Sequence, residues 1–455
     1  MNSCDTFALT AGAFAGGKNI LCKNSDRPLG EAQPMQIYPR RTYRAGEMLA
    51  CTNLTIPQVE ITWAVLGCQP YWIWGFEMGV NEWGLAIGNE AQGSRCEAET
   101  VEGMLGMDLL RLGLERAKTA REAITVITEL LERYGQNSNA SQLFDRRYEN
   151  SFMLVDPQEI WLLETAGRQW VAKQVHDRAA ISNCYSIESD FDMCSRDVSE
   201  YARSRKWLAP DERFNFAKAY TAPAIRQTAS NPRWRRLLKL IHANSELTEA
   251  DCKAVLRDHF EGEIIEPRFG GAYGMFVTIC MHAMTWDASQ TTCSLLASWD
   301  EDLGMVCRYA PSIPCCSAYI PVYMLGPLPS CLTLSGAEYD PNSLWWQTER
   351  LAMAISIDEE RFGKAAREAL RNFEAKASES TANMEIYARE QIQKGNGLLA
   401  KVALMDLTAE LAAELLELVG RIGDRICREV ADLGGLYGPR KEFLEDYCRR
   451  VKMSL

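Results

Sequence analysis

Cys4-Asp5-Thr6-Phe7-Ala8-Leu9 reads as a short first strand that places a thiol almost at the N-terminus. Lys23-Asn24-Ser25-Asp26-Arg27-Pro28 then sets a basic residue and a carboxylate at the end of a second strand. With residues 1–3 removed, Cys4 would carry nucleophile and base on one residue, its thiolate and its own α-amino group. An α-amine has a reference pKa of about 7.7–8.0, so it can serve as a general base without any histidine. The competing reading is that Cys4 is a small buried hydrophobe, the usual fate of a cysteine. The rest of the chain favours the first reading.

Outward from these strands, Gly16-Gly17-Lys18-Asn19 is a turn signal, and Ile61–Leu66 and Trp83–Ile87 continue a strand-and-turn pattern. Met107–Tyr134 changes to helical periodicity, with Thr119 as an N-cap that divides it into two helices. Strands return at Ser151–Val155, Glu159–Thr165, Trp170–Val175 and Ala179–Asn183. Arg196–Arg257 is mostly helical, and Gly274–Met281 and Thr292–Trp299 are strand-like. Beyond Leu344 the pattern is helical, with Glu349–Lys376 and Leu398–Lys452 as long runs. Strand blocks interleaved with helix pairs suit two packed sheets covered by helices, although pattern alone fits other α+β layouts.

The 455 residues are 47% hydrophobic and 24% charged, ordinary proportions for a globular chain. The net charge of −12 gives nucleic acid little to bind, and Arg233-Trp234-Arg235-Arg236 is too short a basic cluster to reverse that. No segment is apolar enough for a membrane span and no positive region precedes a signal core, so no membrane partner is expected. Sixteen scattered cysteines without a CxxC imply reduced thiols, a cytoplasmic location and no metal or other cofactor. The four histidines lie outside any HExxH spacing, and GxSxG, the P-loop and the dinucleotide fingerprint are missing too.

What remains for chemistry is Cys4, with Lys23 or Arg27 expected to lower its pKa and Asp26 to hold the α-ammonium. Asn89 and Asn183, each at a strand end, offer N–H donors for an oxyanion; the plainer role for either is a turn residue. Tyr71-Trp72-Ile73-Trp74 reads as core packing or a pocket wall.

At these residues the chain resembles the secernin and dipeptidase-A family of N-terminal nucleophile hydrolases. Further blocks carry the likeness: Gly79-Val80-Asn81-Glu82-Trp83-Gly84-Leu85-Ala86-Ile87-Gly88-Asn89-Glu90, Gly106-Met107-Asp108-Leu109-Leu110-Arg111-Leu112, Ile279-Cys280-Met281-His282-Ala283, Gln290-Thr291-Thr292 and Ser343-Leu344-Trp345-Trp346. The resemblance implies a four-layer αββα sandwich with additional C-terminal helices. Residues 1–3 would be a short leader, 4–343 the hydrolase core and 344–455 a helical extension packed on it. It also implies Cys4 as nucleophile and Lys23 where an arginine beside the nucleophile is usual. Asp26 matches the amine-binding aspartate, Asn89 and Asn183 the oxyanion positions, and Arg233 a second arginine that meets substrate. His282 sits in a family block, as a substrate-side or a structural residue. The expected activity is amide hydrolysis of a dipeptide or N-acyl amino acid after Cys4 cleaves off its own leader. A tailoring amidase or acyltransferase and a non-catalytic binding protein are the alternatives, and homo-oligomerisation stays open.

Overall fold

The computed structural model describes residues 4–97, 99–143, 145–209, 211–224, 230–263, 277–283, 285, 288–334 and 336–455. The proposed leader, residues 1–3, lies outside them. Among the described residues two large antiparallel sheets stack face to face. The first has six strands in the order Arg178–Ile181, Asp5–Leu9, Ile20–Pro28, Ser289–Asp300, Gly304–Pro311 and Ile320–Tyr323. The second has eight, with Ala86–Gln92 and Glu149–Val155 near its middle. Apolar side chains at alternate positions fill the space between them, among them Ala8, Leu21, Met78, Val80, Met153 and Leu295.

Helices cover both outer faces, so the layering is αββα, as the resemblance implies. Gly106–Arg116 and Ala120–Tyr134 pack on the second sheet through Leu109, Leu112, Ile124 and Ile127, which meet Ile87 and Leu163. Thr119 caps the second helix by accepting from Glu122 N, and the two helices stand as the sequence reading divided them. Ser230–Ile241 and Glu249–Leu256 cover the first sheet, with Leu237, Ile241 and Leu256 against Phe7, Cys22 and Leu296.

The long helical runs expected near the C-terminus are each broken. Leu344–Ile355 ends before Asp358, whose side chain accepts from Arg361 N and starts Glu359–Gln393. Gly397–Asp432 stops where Gly434, Gly435 and Gly438 take positive φ, and Lys441–Val451 follows. Leu344–Ile355 sits against the first sheet, with Trp345 Nε1 donating to Thr292 O at 2.6 Å.

Gly274–Met281 is not the strand expected: residues 277–283 form a loop, and 274–276 lie outside the described residues. The loop's polar backbone is satisfied without a ladder. Asn24 Nδ2 donates to Ile279 O, Cys280 N to Asp258 O, and Met281 N to Thr291 Oγ1. One irregularity bears on the site: strand Ser289–Asp300 pairs Thr291 with Asp26 but Cys293 with Ser25, so Thr292 is an extra residue, a β-bulge.

Candidate active site

Pairing of Asp5–Leu9 between Arg178–Ile181 and Ile20–Pro28 fixes Cys4 at the end of an interior strand. Alternation then sorts its neighbours. Thr6 and Lys23, paired with each other, face the second sheet; Asp5 and Asn24 face the outer helices.

Cys4 is buried. Its N–H donates to Asn183 Oδ1 at 3.0 Å, and its Sγ accepts from Asp26 N at 3.3 Å. Arg233, reaching in from the helix Ser230–Ile241, donates to the same Asn183 oxygen and to Asp5 Oδ2, each at 2.7 Å. The same guanidinium lies 3.9 Å from Asp26 Oδ2. Thr291 Oγ1 donates to Asp26 Oδ1 at 2.6 Å. Asp5 Oδ1 and Asp26 Oδ2 are buried and have no hydrogen-bond partner among the described residues.

On the inner face Lys23 Nζ donates to Asn89 O at 2.5 Å and pairs with Glu90 Oε1 at 3.3 Å; Thr6 Oγ1 also donates to Glu90. The Asn89 carboxamide lies between Asn150 Oδ1, 3.1 Å away, and Glu77, whose O and Oε2 are 2.9 and 3.1 Å away. Asn150 Nδ2 donates in turn to Gln136 Oε1 at 3.1 Å. The first residue of helix Gly106–Arg116 must be glycine here, because a Cβ would lie 1.9 Å from Asn150 Oδ1. We expect Gly106→Ala to displace Asn150, lowering stability by about 1–3 kcal/mol and loosening Asn89. Urea unfolding would check the first effect; an unchanged midpoint would refute it.

Most sequence-assigned residues therefore converge: Cys4, Asp26, Asn183 and Arg233 share one hydrogen-bonded cluster, and Lys23 and Asn89 meet beside it. Asn183 turns its oxygen toward Cys4 and its Nδ2 toward Ala91 O at 2.8 Å, so it orients the residue 4 nitrogen rather than presenting an N–H. Arg27 is not beside Cys4; it pairs with Glu31 and Glu77. His282 meets His259 and Cys315. Asp5, Thr6, Glu90 and Thr291 were not assigned from sequence. Asp5 and Thr6 sit inside the quoted first motif and Thr291 inside Gln290-Thr291-Thr292, so their positions were marked but their roles were not.

Burial dominates the electrostatics. It pushes the Cys4 thiol well up, against the lowering by Lys23, so the expectation of a lowered thiol pKa is corrected. Lys23 supplies the expected sign but not enough to offset desolvation. Burial likewise raises Asp5 to about 6 against Arg233, and Glu90 to about 7 against Lys23. Asp26 is raised well above the usual range by burial and then by the charge of Asp5. Lys23, which burial alone would pull down, is carried up by the Cys4 thiol, Glu90 and Glu77.

The loop bearing Asn183 is anchored by Glu164, which accepts from Ser186 N at 2.7 Å and Ile187 N at 3.1 Å. Burial raises Glu164 from 4.5 to about 7. Between these values the native state holds a proton that the unfolded state has lost, so this group's contribution falls as pH rises. Relative to Glu164→Gln, the wild type should lose stability as pH rises from 4.5 to 7. Denaturant midpoints for both proteins test this, and a difference moving the other way would refute it.

A cavity of about 160 Å³ is lined by Gln92, Arg147, Tyr148 and Glu149 and by none of the assigned residues. A larger one of about 390 Å³, around Lys18, Trp299 and Asp300, includes none of the assigned residues. Of the aromatic run, Ile73 is buried; Trp74 packs on Arg111, 4.1 Å from its guanidinium carbon. No helix among the described residues is long and apolar enough to cross a membrane.

Layering and site together define an αββα protein with a cysteine beside its N-terminus. The model of peptidase family C69 matches residues 50–237. The chain is 28% identical over 241 residues to a dipeptidase of Bifidobacterium longum, covering 44% of this chain and 42% of that protein. It is 26% identical over 196 residues to a probable dipeptidase B of Lactococcus lactis, covering 36% and 39%. The matched stretch thus spans about two fifths of the length of these curated relatives. Among solved structures, two variants of a conjugated bile acid hydrolase from Clostridium perfringens align at 12% identity, covering 68% of this chain and 89% of theirs, with TM-scores of 0.37 and 0.36.

Proposed function

We propose that the protein is a cysteine N-terminal nucleophile hydrolase that cleaves an amide bond of a small substrate, a dipeptide or N-acyl amino acid, after removing its own leader. The observation carrying this reading is that both chemical groups of Cys4 are already held: its nitrogen by Asn183 Oδ1 and its sulfur by Asp26 N. A peptide nitrogen has one N–H, and Asn183 takes it. A freed ammonium has two more, and Asp26 Oδ2, which accepts no hydrogen bond among the described residues and lies 3.9 Å from Arg233, is a buried acceptor in the same cluster. The site is thus better satisfied by the cleaved state.

In leader removal, Cys4 Sγ attacks the Ser3 carbonyl; the C–S bond forms as the C–N bond breaks, which frees the amine, and water hydrolyses the thioester. In turnover the free α-amine takes the thiol proton and Sγ attacks the substrate carbonyl. The ammonium then returns a proton to the leaving amine, and water, deprotonated by the same amine, releases the acyl group. A base on the nucleophile's own residue answers the raised thiol pKa, because the thiolate need exist only at the moment of attack. Asn89 is the proposed oxyanion-side residue, Asn183 orients the Cys4 nitrogen, and Arg233 holds Asn183 and Asp5 in place.

The intact mass of freshly purified protein, beside a screen of dipeptides and N-acyl amino acids, tests the reading. Loss of residues 1–3 with release of free amino acids is the expected result. Full turnover with the leader still attached would remove the α-amine from the mechanism.

A further inference from the structure

A second constellation lies apart from Cys4. His259, Cys280, His282 and Cys315 come from three chain segments: the turn after helix Glu249–Leu256, the loop 277–283 and the turn Pro314–Cys316. Their donor atoms all lie within 4.8 Å of one another. His259 Nε2 and His282 Nε2 are 3.1 Å apart, and Cys315 Sγ and Cys280 Sγ lie 3.3 and 3.8 Å from His282 Nε2. A tetrahedral ion with bonds of about 2.0–2.1 Å to nitrogen and 2.3 Å to sulfur needs donor separations of roughly 3.3–3.8 Å.

We propose that these four residues bind one divalent zinc-type ion. Two thiolates and two imidazoles are the donor set of tetrahedral structural zinc, and four protein ligands leave no open position for substrate. The ring of His259 is also oriented as a ligand's would be. Its Nδ1 meets Glu261 Oε1 at 3.1 Å, the carboxylate–histidine arrangement that turns the other ring nitrogen toward a metal. Both thiols are buried, whereas the imidazoles are partly exposed.

The ion would brace the active site without entering it. Its loop supplies Met281, whose N–H binds Thr291 Oγ1, and Thr291 donates to Asp26. Its other anchor follows Asp258, which pairs with Arg236 on the helix that carries Arg233. The residues are thus positioning groups, and the histidine in the family block gains a role distinct from substrate binding.

Metal analysis of full-length protein, purified reduced and without chelator from zinc-supplemented cells, should find about one zinc per chain. Cobalt(II) added to demetallated protein should give the visible bands of tetrahedral cobalt and a near-ultraviolet thiolate-to-cobalt band. Cys280→Ser/Cys315→Ser should lose both signals, whereas the control Cys331→Ser keeps them. The cobalt spectrum of the unaltered chain needs no variant and stands if the double variant fails to fold. Metal-free protein with no thiolate–cobalt band, full metal content in a folded double variant, or a Cys280–Cys315 disulfide would each overturn the site. None of these readouts depends on hydrolysis, so the failure of either proposal leaves the other standing.

Discussion

Cys4→Ala is expected to abolish amide hydrolysis, lowering kcat by on the order of 10⁴-fold or more, as removal of a catalytic nucleophile does. That is roughly 5 kcal/mol of barrier. The same change should leave residues 1–3 attached, because the group that would cleave them is gone. The side chain is small and buried, and its Sγ takes one backbone N–H, that of Asp26. The variant should therefore still fold, with circular dichroism close to that of the wild type. Initial rates on a cleaved dipeptide and an intact mass measure both effects on one preparation. A folded Cys4→Ala protein with undiminished turnover would remove Cys4 from the chemistry.

The second large effect belongs to Arg233. Its guanidinium is buried, 1% exposed, against an Asp5 side chain at 0%, and Asp26 shares it at 3.9 Å. Removing one partner of a buried ion pair costs about 3–5 kcal/mol, because the other charge is left without compensation. Arg233→Met should show a loss of this size near pH 8. With the cation gone, both carboxyls gain affinity for protons above the already raised native values, about 6 for Asp5. The native state then holds protons that the unfolded state releases, so stability falls as pH rises and the deficit is smaller at pH 5. Adding Asp5→Asn should restore part of the loss. Urea midpoints at the two pH values decide the matter; equal deficits, or a loss below about 1 kcal/mol, would contradict a buried ionic role.

The cluster around Cys4 could be read from sequence because its chemistry is carried by residue type and strand position. A thiol at residue 4 and a carboxylate at 26 lie on strands whose apolar alternation is plain. Asn89 and Asn183 follow apolar runs that had to be strands as well. Asp5 was harder to read. In sequence it is a polar residue in a strand; its role depends on Arg233, which pairs with it from 228 positions away. The thiol pKa was misjudged for a related reason: the sign of a nearby charge can be read from sequence, but the depth of burial that outweighs it cannot. Of the strand expected over Gly274–Met281, the described residues 277–281 form a loop instead, held by the Asn24 and Thr291 side chains. That loop also carries half of the proposed metal ligands. Of their positions, 259, 280, 282 and 315, only 280 and 282 are close in sequence, so only the fold brings the set together.

The bulge at Thr292 separates two jobs on one strand. Thr291 and Cys293 are both odd-numbered, and in an unbroken strand they would point the same way. Instead Cys293 joins Leu295 and Ala297 in the core between the sheets, while Thr291 turns to Asp26. The inserted residue acts as a phase shifter: the core half and the active-site half of Ser289–Asp300 follow opposite parity rules. Substitutions in either half can therefore accumulate without constraining the other, whereas a strand that kept every residue but lost the bulge would slip its register by one and turn the Asp26 partner into the core.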